Sequence, residues 1–147
     1  MIYTEMTKKA MRLAYDAHHG VNDKSGMPYI FHPFHLAEGM TDEVTTTVAL
    51  LHDIVEDTDY TLDDLAAMGF PESVTKPLAL LTHAEGVDYF DYVRNISADP
   101  VASAVKLADL VHNSDLSRFA PEEITEYALK RREKYLKAME ILRKGKK

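Results

Sequence analysis

Apolar residues recur at three- and four-residue intervals along nearly the whole chain, and no segment sustains the apolar–polar alternation of a half-buried strand. A chain with that period buries its apolar stripes by packing helix on helix, so the sequence predicts an all-α bundle. The length of 147 residues suits a single domain, residues 1–147, with a core of its own. Thr4 to His18 predicts a first helix with Met6, Ala10, Leu13, Ala14 and Ala17 on one face. His19 to Pro28 holds Gly20, Asn22, Asp23, Ser25 and Gly26 and predicts a loop. A second helix carries Pro33 in its first turn and ends near Met40. A third, capped by Thr41 or Asp42, runs through Val55. Thr61-x-x-Asp64 has the form of a capping box and opens a short helix to Met68. Pro71 to Thr82 predicts a helix disturbed by Pro77. Gly86 to Ile96 and Pro100 to Asn113 follow, and Pro121 starts a long last helix to about Arg143.

Composition removes several classes of function. There is no cysteine, which excludes disulfides and zinc–thiolate sites. No run of about 18 apolar residues suggests a membrane-crossing helix. The N-terminus, with Glu5, Lys8 and Lys9, lacks the apolar stretch of a signal peptide, so a cytoplasmic location is expected. The net charge of −7 is unevenly spread: Lys130 to Lys147 holds nine Lys/Arg against two Glu, while the chain before it holds eight against twenty-two Asp/Glu. So acidic a body is a poor partner for nucleic acid, where phosphate contacts dominate affinity. The basic end reads as a solvated helix face, with attraction of an anionic substrate as the alternative.

The chemistry concentrates in Leu50-Leu51-His52-Asp53-Ile54-Val55-Glu56-Asp57. At about 100° per residue, Asp53 falls roughly 100°, Glu56 roughly 40° and Asp57 roughly 140° from His52. Val44, Val48, Leu50, Leu51, Ile54 and Val55 fill the opposite arc, and small Ala49 lies under the polar face. Three carboxylates so close together disfavour one another's ionisation unless a positive charge is near. Either water screens them on an open helix face, or a metal ion does, for which imidazole and carboxylate are suitable ligands. Asp109 sits among Val105, Leu107, Ala108, Leu110 and Val111 at helical spacing. A carboxylate on so apolar a helix needs a partner, either a cation side chain or a metal. His32 lies at the mouth of the second helix, in Pro28-Tyr29-Ile30-Phe31-His32-Pro33.

In chain order, four motifs stand out: Ala17-His18-x-Gly20, Lys24-Ser25-Gly26-x-Pro28-Tyr29-x-x-His32-Pro33, Leu50-Leu51-His52-Asp53-x-Val55-Glu56-Asp57-Thr58, and Lys106-Leu107-Ala108-Asp109 with His112-Asn113. Together they resemble the HD superfamily of metal-dependent phosphohydrolases. More narrowly, they are similar to the hydrolase domain of RelA/SpoT-type proteins and the stand-alone small alarmone hydrolases. The resemblance implies an HD-domain helical bundle with a single metal site, its ligands His32, His52, Asp53 and Asp109, and manganese as the metal. It implies that Glu56 and Asp57 are catalytic, serving the attacking water and the leaving group. The implied reaction is removal of pyrophosphate from the 3′ position of guanosine 3′,5′-bis(diphosphate), which would lower a starvation signal. Substrate contacts are implied for Asn113, for which a helix cap is the plain alternative, and for Lys24 and Ser25, for which turn chemistry is.

The pattern departs from the family in substrate recognition. Asp23 stands where an arginine that helps hold the guanine base is usual, Leu110 replaces a basic residue, and Asp115 replaces an arginine, with Arg118 the candidate to stand in for it. Two other readings therefore stay open: an HD enzyme for another nucleotide, such as a nucleotidase or NADPH phosphatase, and a non-catalytic metal or nucleotide sensor. Independently of the resemblance, Arg131 interrupts the last helix's apolar stripe of Ile124, Tyr127, Ala128, Tyr135, Ala138, Met139 and Leu142. An arginine there meets either an acidic side chain or a substrate phosphate. His18, His19, His35, His83 and His112 read as surface or capping residues. Tyr89, Phe90 and Tyr92 read as either core or interface, and the oligomeric state is left open.

Overall fold

The computed structural model describes residues 1–145; Lys146 and Lys147, part of the basic end, lie outside the described residues. Among the described residues nine α-helices form one bundle: α1 (Glu5–Ala17), α2 (Phe31–Glu38), α3 (Glu43–Leu51), α4 (Ile54–Asp57), α5 (Leu62–Ala67), α6 (Glu72–Leu81), α7 (Tyr89–Ile96), α8 (Pro100–Asn113) and α9 (Glu126–Lys144). No strand occurs among the described residues, only an isolated bridge between Asn22 and Pro28. Also among them, no helix is long and apolar enough to cross a membrane.

Side-chain caps set most helix starts. Thr4, Asp42, Thr61, Asp88, Asp99 and Thr125 each accept backbone N–H groups that the first helical turn leaves free. At Thr61 the box is complete, Asp64 returning a bond to the Thr61 N–H at 2.9 Å. The centre of the bundle is α3, which lies against α1, α2, α6 and α8. Its Val48, Ala49, Leu50 and Leu51 are fully buried, and its buried threonines Thr46 and Thr47 return their hydroxyls to the carbonyls of Asp42 and Glu43. Buried on every side from Thr45 to Leu51, α3 forms the middle of the core, and its C-terminal end leads into His52 and Asp53.

Four helix boundaries differ from the sequence expectation. The third helix stops at Leu51 instead of running through Val55, and the chain turns at Asp53 (φ −103°, ψ 0°) before the single turn of α4. The cause is local: His52 Nδ1 donates to the Ala49 carbonyl at 2.6 Å. An uninterrupted helix would give that carbonyl to the Asp53 N–H. The last helix starts at Glu126, because the Thr125 hydroxyl caps it; Pro121–Glu123 is a separate 3₁₀ turn. Ile124 therefore lies before α9, and Tyr127, expected on its apolar stripe, is 69% exposed. Asp88 starts α7 at Tyr89, and α2, with Pro33 in its first turn as expected, ends at Glu38, short of Met40. Pro77 is buried inside α6, which continues through it.

Candidate metal centre and substrate cavity

Residues from three helix ends meet beside α3: His32 from α2, His52 and Asp53 from the turn after α3, and Asp109 from α8. One ligand atom from each lies within 4.8 Å of all the others. Asp109 Oδ1 is 2.8 Å from His32 Nε2 and 3.5 Å from His52 Nε2, and Asp53 Oδ2 is 2.9 Å from His52 Nε2. His32, His52 and Asp109 are buried, while Asp53 is partly open.

Each imidazole is oriented from behind. The bond from His52 Nδ1 to the Ala49 carbonyl turns Nε2 toward the two carboxylates. That Nε2 is buried and makes no well-directed hydrogen bond, despite the short distances. His32 Nδ1 is 2.7 Å from His112 Nδ1, and His112 stacks in turn on His35. Burial, then Arg118 and the neighbouring imidazoles, push His112 down to about 4, so it is neutral and can accept a hydrogen bond from His32 Nδ1–H. In that tautomer His32 Nε2 presents a lone pair to the cluster.

Burial works against charge on His52, Asp53 and Asp109, and pairing overrides it. Asp53 and Asp109 hold His52 well above its ordinary value. Lys106, then His52, hold Asp109 well below its own. Two imidazole nitrogens and two carboxylates, converging and aligned from behind, with one buried nitrogen lacking a directed partner, fit a divalent cation.

The carboxylates outside the cluster face different ways. Asp57 lines an adjoining cavity of about 510 Å³, and burial, then Asp53 and Glu56, push it up to about 6. Glu56 accepts a hydrogen bond from the His83 backbone N–H in the α6–α7 connection. The cavity is also lined by Lys24, Asn113, Arg118 and Arg131. Asn113 ends α8 and donates to Asp109 Oδ1 at 2.9 Å; the cap of that helix is Ser114. Among the described residues Arg131 has no acidic partner, and its guanidinium lies 5.5 Å from the centre of the Tyr127 ring. The ammonium of Lys24 is 5.9 Å from the same ring. Ser25 is not brought to the cavity wall: its N–H and hydroxyl both bond Asp23 Oδ1, and its part is in the loop.

Several residues take parts that the sequence reading did not give them. Tyr29 donates its hydroxyl to Asp53 Oδ2. Lys106 donates to Asp109 Oδ2 at 2.9 Å. His18, read as a surface or capping residue, does end α1 but is only 3% exposed and lines the cavity. Asp23 accepts from Ser25, from the Met27 N–H and, at 3.1 Å, from Arg118, which also donates to the His112 carbonyl. The family motifs contained Tyr29, Lys106 and His18, and the i, i+3 spacing of Lys106 and Asp109 was a usable signal for that pair.

No family model matches the chain. Over 130 residues it is 36% identical to a probable GTP pyrophosphokinase of Mycobacterium leprae, covering 80% of this chain and 16% of that protein. Over 117 residues it is 37% identical to a human protein named guanosine-3′,5′-bis(diphosphate) 3′-pyrophosphohydrolase, covering 71% of this chain and 65% of that one. The chain belongs to the RelA/SpoT-type HD hydrolase-domain family. A solved structure of a metazoan orthologue of SpoT shares the fold of this RelA/SpoT-type domain, with a TM-score of 0.74 at 23% identity over 99% of this chain and 87% of that one. The domain spans only 16% and 15% of the length of its long relatives from M. leprae and Streptomyces coelicolor.

Proposed function

We propose that this RelA/SpoT-type domain hydrolyses guanosine 3′,5′-bis(diphosphate), releasing pyrophosphate from the 3′ position, with manganese held by His32, His52, Asp53 and Asp109. The observation that carries the reading is the convergence of those four ligand atoms within 4.8 Å beside a cavity of nucleotide size. The human relative named for this reaction supports the choice of substrate. A divalent ion there would lower the pKa of water and polarise a phosphoryl oxygen.

The remaining work falls to side chains. Asp57, on the cavity wall and raised to about 6, is poised to take or return a proton near neutral pH. Glu56, fixed by the His83 N–H, is the carboxylate that orients the water. Lys24 and Arg131 offer two cations for the phosphates not being cut, and Asn113 reaches from the cluster to the cavity. Arg118 supplies a guanidinium on the wall where the loop itself carries Asp23.

The test is incubation of metal-stripped protein with this nucleotide, with and without manganese, following pyrophosphate. Manganese-dependent release, abolished in His52→Ala, is the expected result. Turnover of a different nucleotide in a parallel panel would discard the substrate and keep the chemistry. Silence across the panel with metal binding intact would make the protein a sensor.

A further inference from the structure

Asp109 is buried, and its two carboxylate oxygens keep different company. Oδ1 faces His32 and His52 and accepts from Asn113. Oδ2 accepts from the Lys106 ammonium at 2.9 Å. Lys106 stands one turn earlier on the same helix, so the pair is set by α8 alone. Its side chain is only 13% exposed, its Nζ lies 5.5 Å from the centre of the Tyr92 ring, and it lies outside the cavity lining. An ammonium so placed cannot serve substrate. Nor does it help to collect a cation, since like charges repel at short range.

What Lys106 does control is the number of oxygens Asp109 can offer. A carboxylate free at both oxygens can bind a metal through either or both. With Oδ2 engaged, Asp109 offers Oδ1 alone. Four single-atom ligands then fill four of the about six positions that manganese prefers, leaving about two. A hydrolytic site needs such open positions for water and for a phosphoryl oxygen. We propose that Lys106 is a positioning residue that restricts Asp109 to one metal-binding oxygen, keeping coordination positions open at the expense of metal affinity. The inference rests on the metal reading above.

The experiment uses the full chain and manganese alone, with two readouts: the dissociation constant, and the number of waters on the bound ion from water-proton relaxation. Loss of the ammonium in Lys106→Met is expected to tighten manganese binding about tenfold by removing a like charge. The same variant should carry about one water fewer per bound ion, as Oδ2 takes a position. Lys106→Arg should restore both values. Lys106→Gln, which still donates to Oδ2 without a charge, should keep the wild-type water number while binding tighter. A wild-type water number in Lys106→Met, at any affinity, would overturn the assignment and leave Lys106 a neutralising scaffold residue. Should the methionine variant fail to fold, Lys106→Leu is read the same way. Wild-type protein that takes up no manganese would end the metal reading itself, an outcome distinct from the variants differing from expectation.

Discussion

At the cluster, every side chain is held from a second direction: His52 by the Ala49 carbonyl, His32 by His112, Asp53 by Tyr29, and Asp109 by Lys106 and Asn113. Across the same cavity, Lys24 is exposed, and Arg131 has an aromatic face beside it but, among the described residues, no carboxylate. The first region is built for a fixed geometry, which chemistry on a phosphate demands. The second keeps its charges uncommitted, so an arriving anion need not displace a partner. Substitution in the first region should therefore change structure and chemistry together, and substitution in the second should change affinity alone.

The largest effect is expected from Asp109→Ala. It removes a candidate ligand and leaves the largely buried Lys106 ammonium without its anion. Metal binding should be lost, and unfolding in urea should show a loss of about 3–5 kcal/mol, the range for breaking one side of a buried pair. A loss of metal binding with stability unchanged would mean that the cluster is far less interlocked than its hydrogen bonds suggest.

Asp57→Asn should separate catalysis from stability. Turnover is expected to fall by about a hundredfold or more, the usual contribution of a positioned acid or base. Stability of the metal-free protein should move the other way. The carboxyl of Asp57 is raised from 3.8 to about 6, so the folded state favours its protonated form. That contribution is complete below the unfolded value and is lost as pH rises through about 6. Asparagine does not ionise, so the variant should melt higher than wild type at pH 7, with the difference shrinking as pH falls toward 4. Equal melting temperatures at neutral pH would remove the case for a strained carboxylate.

Much of this arrangement could be read from the chain, and the exceptions have specific causes. Pro100 and a clean apolar period delimit α8 as expected, because proline and periodicity agree. The same pattern gave the wrong end for α3, since what stops it is a side-chain nitrogen taking the Ala49 carbonyl. Periodicity carries no record of such a bond. It also placed His52 and Asp53 about 100° apart, whereas the turn brings His52 Nε2 to 2.9 Å from Asp53 Oδ2. The four candidate ligands were recognisable by residue type and motif, and the structure brings their side chains together. The burial of His18 and the closing of Asp23 on Arg118 depend on contacts between distant segments, which local pattern does not reveal.

Proton linkage gives a sharper view of the cluster. Held well above its ordinary value by Asp53 and Asp109, His52 is charged in the metal-free protein at neutral pH. A metal can bind only when Nε2 has lost that proton, so binding and proton release are coupled. Apparent affinity should therefore rise with pH, by about tenfold per unit while His52 is protonated. The same charge stabilises the metal-free fold, fully below the unfolded value of 6.5 and progressively less as pH rises through the raised folded value. Titrations of manganese between pH 6 and 8 in two buffers of different ionisation enthalpy would measure the proton count directly. Binding without proton release would mean that His52 is already neutral.

The smallest effects belong to the cation wall, and they test the contrast most directly. Arg131 has no acidic partner among the described residues, so its removal leaves no buried charge exposed to view of the core. Arg131→Met should raise KM about tenfold, the worth of one charged hydrogen bond, with kcat and melting temperature near wild type. Lys24, exposed at the loop, should contribute less, about threefold in KM for Lys24→Met. A fall in kcat at unchanged KM would place Arg131 with the transition state instead of the bound substrate. A fall in melting temperature with both constants unchanged would return it to the role of a structural residue on α9. The tenfold and threefold expectations share one origin: cations that the fold leaves uncommitted contribute to binding in proportion to how far the cavity shields them from water.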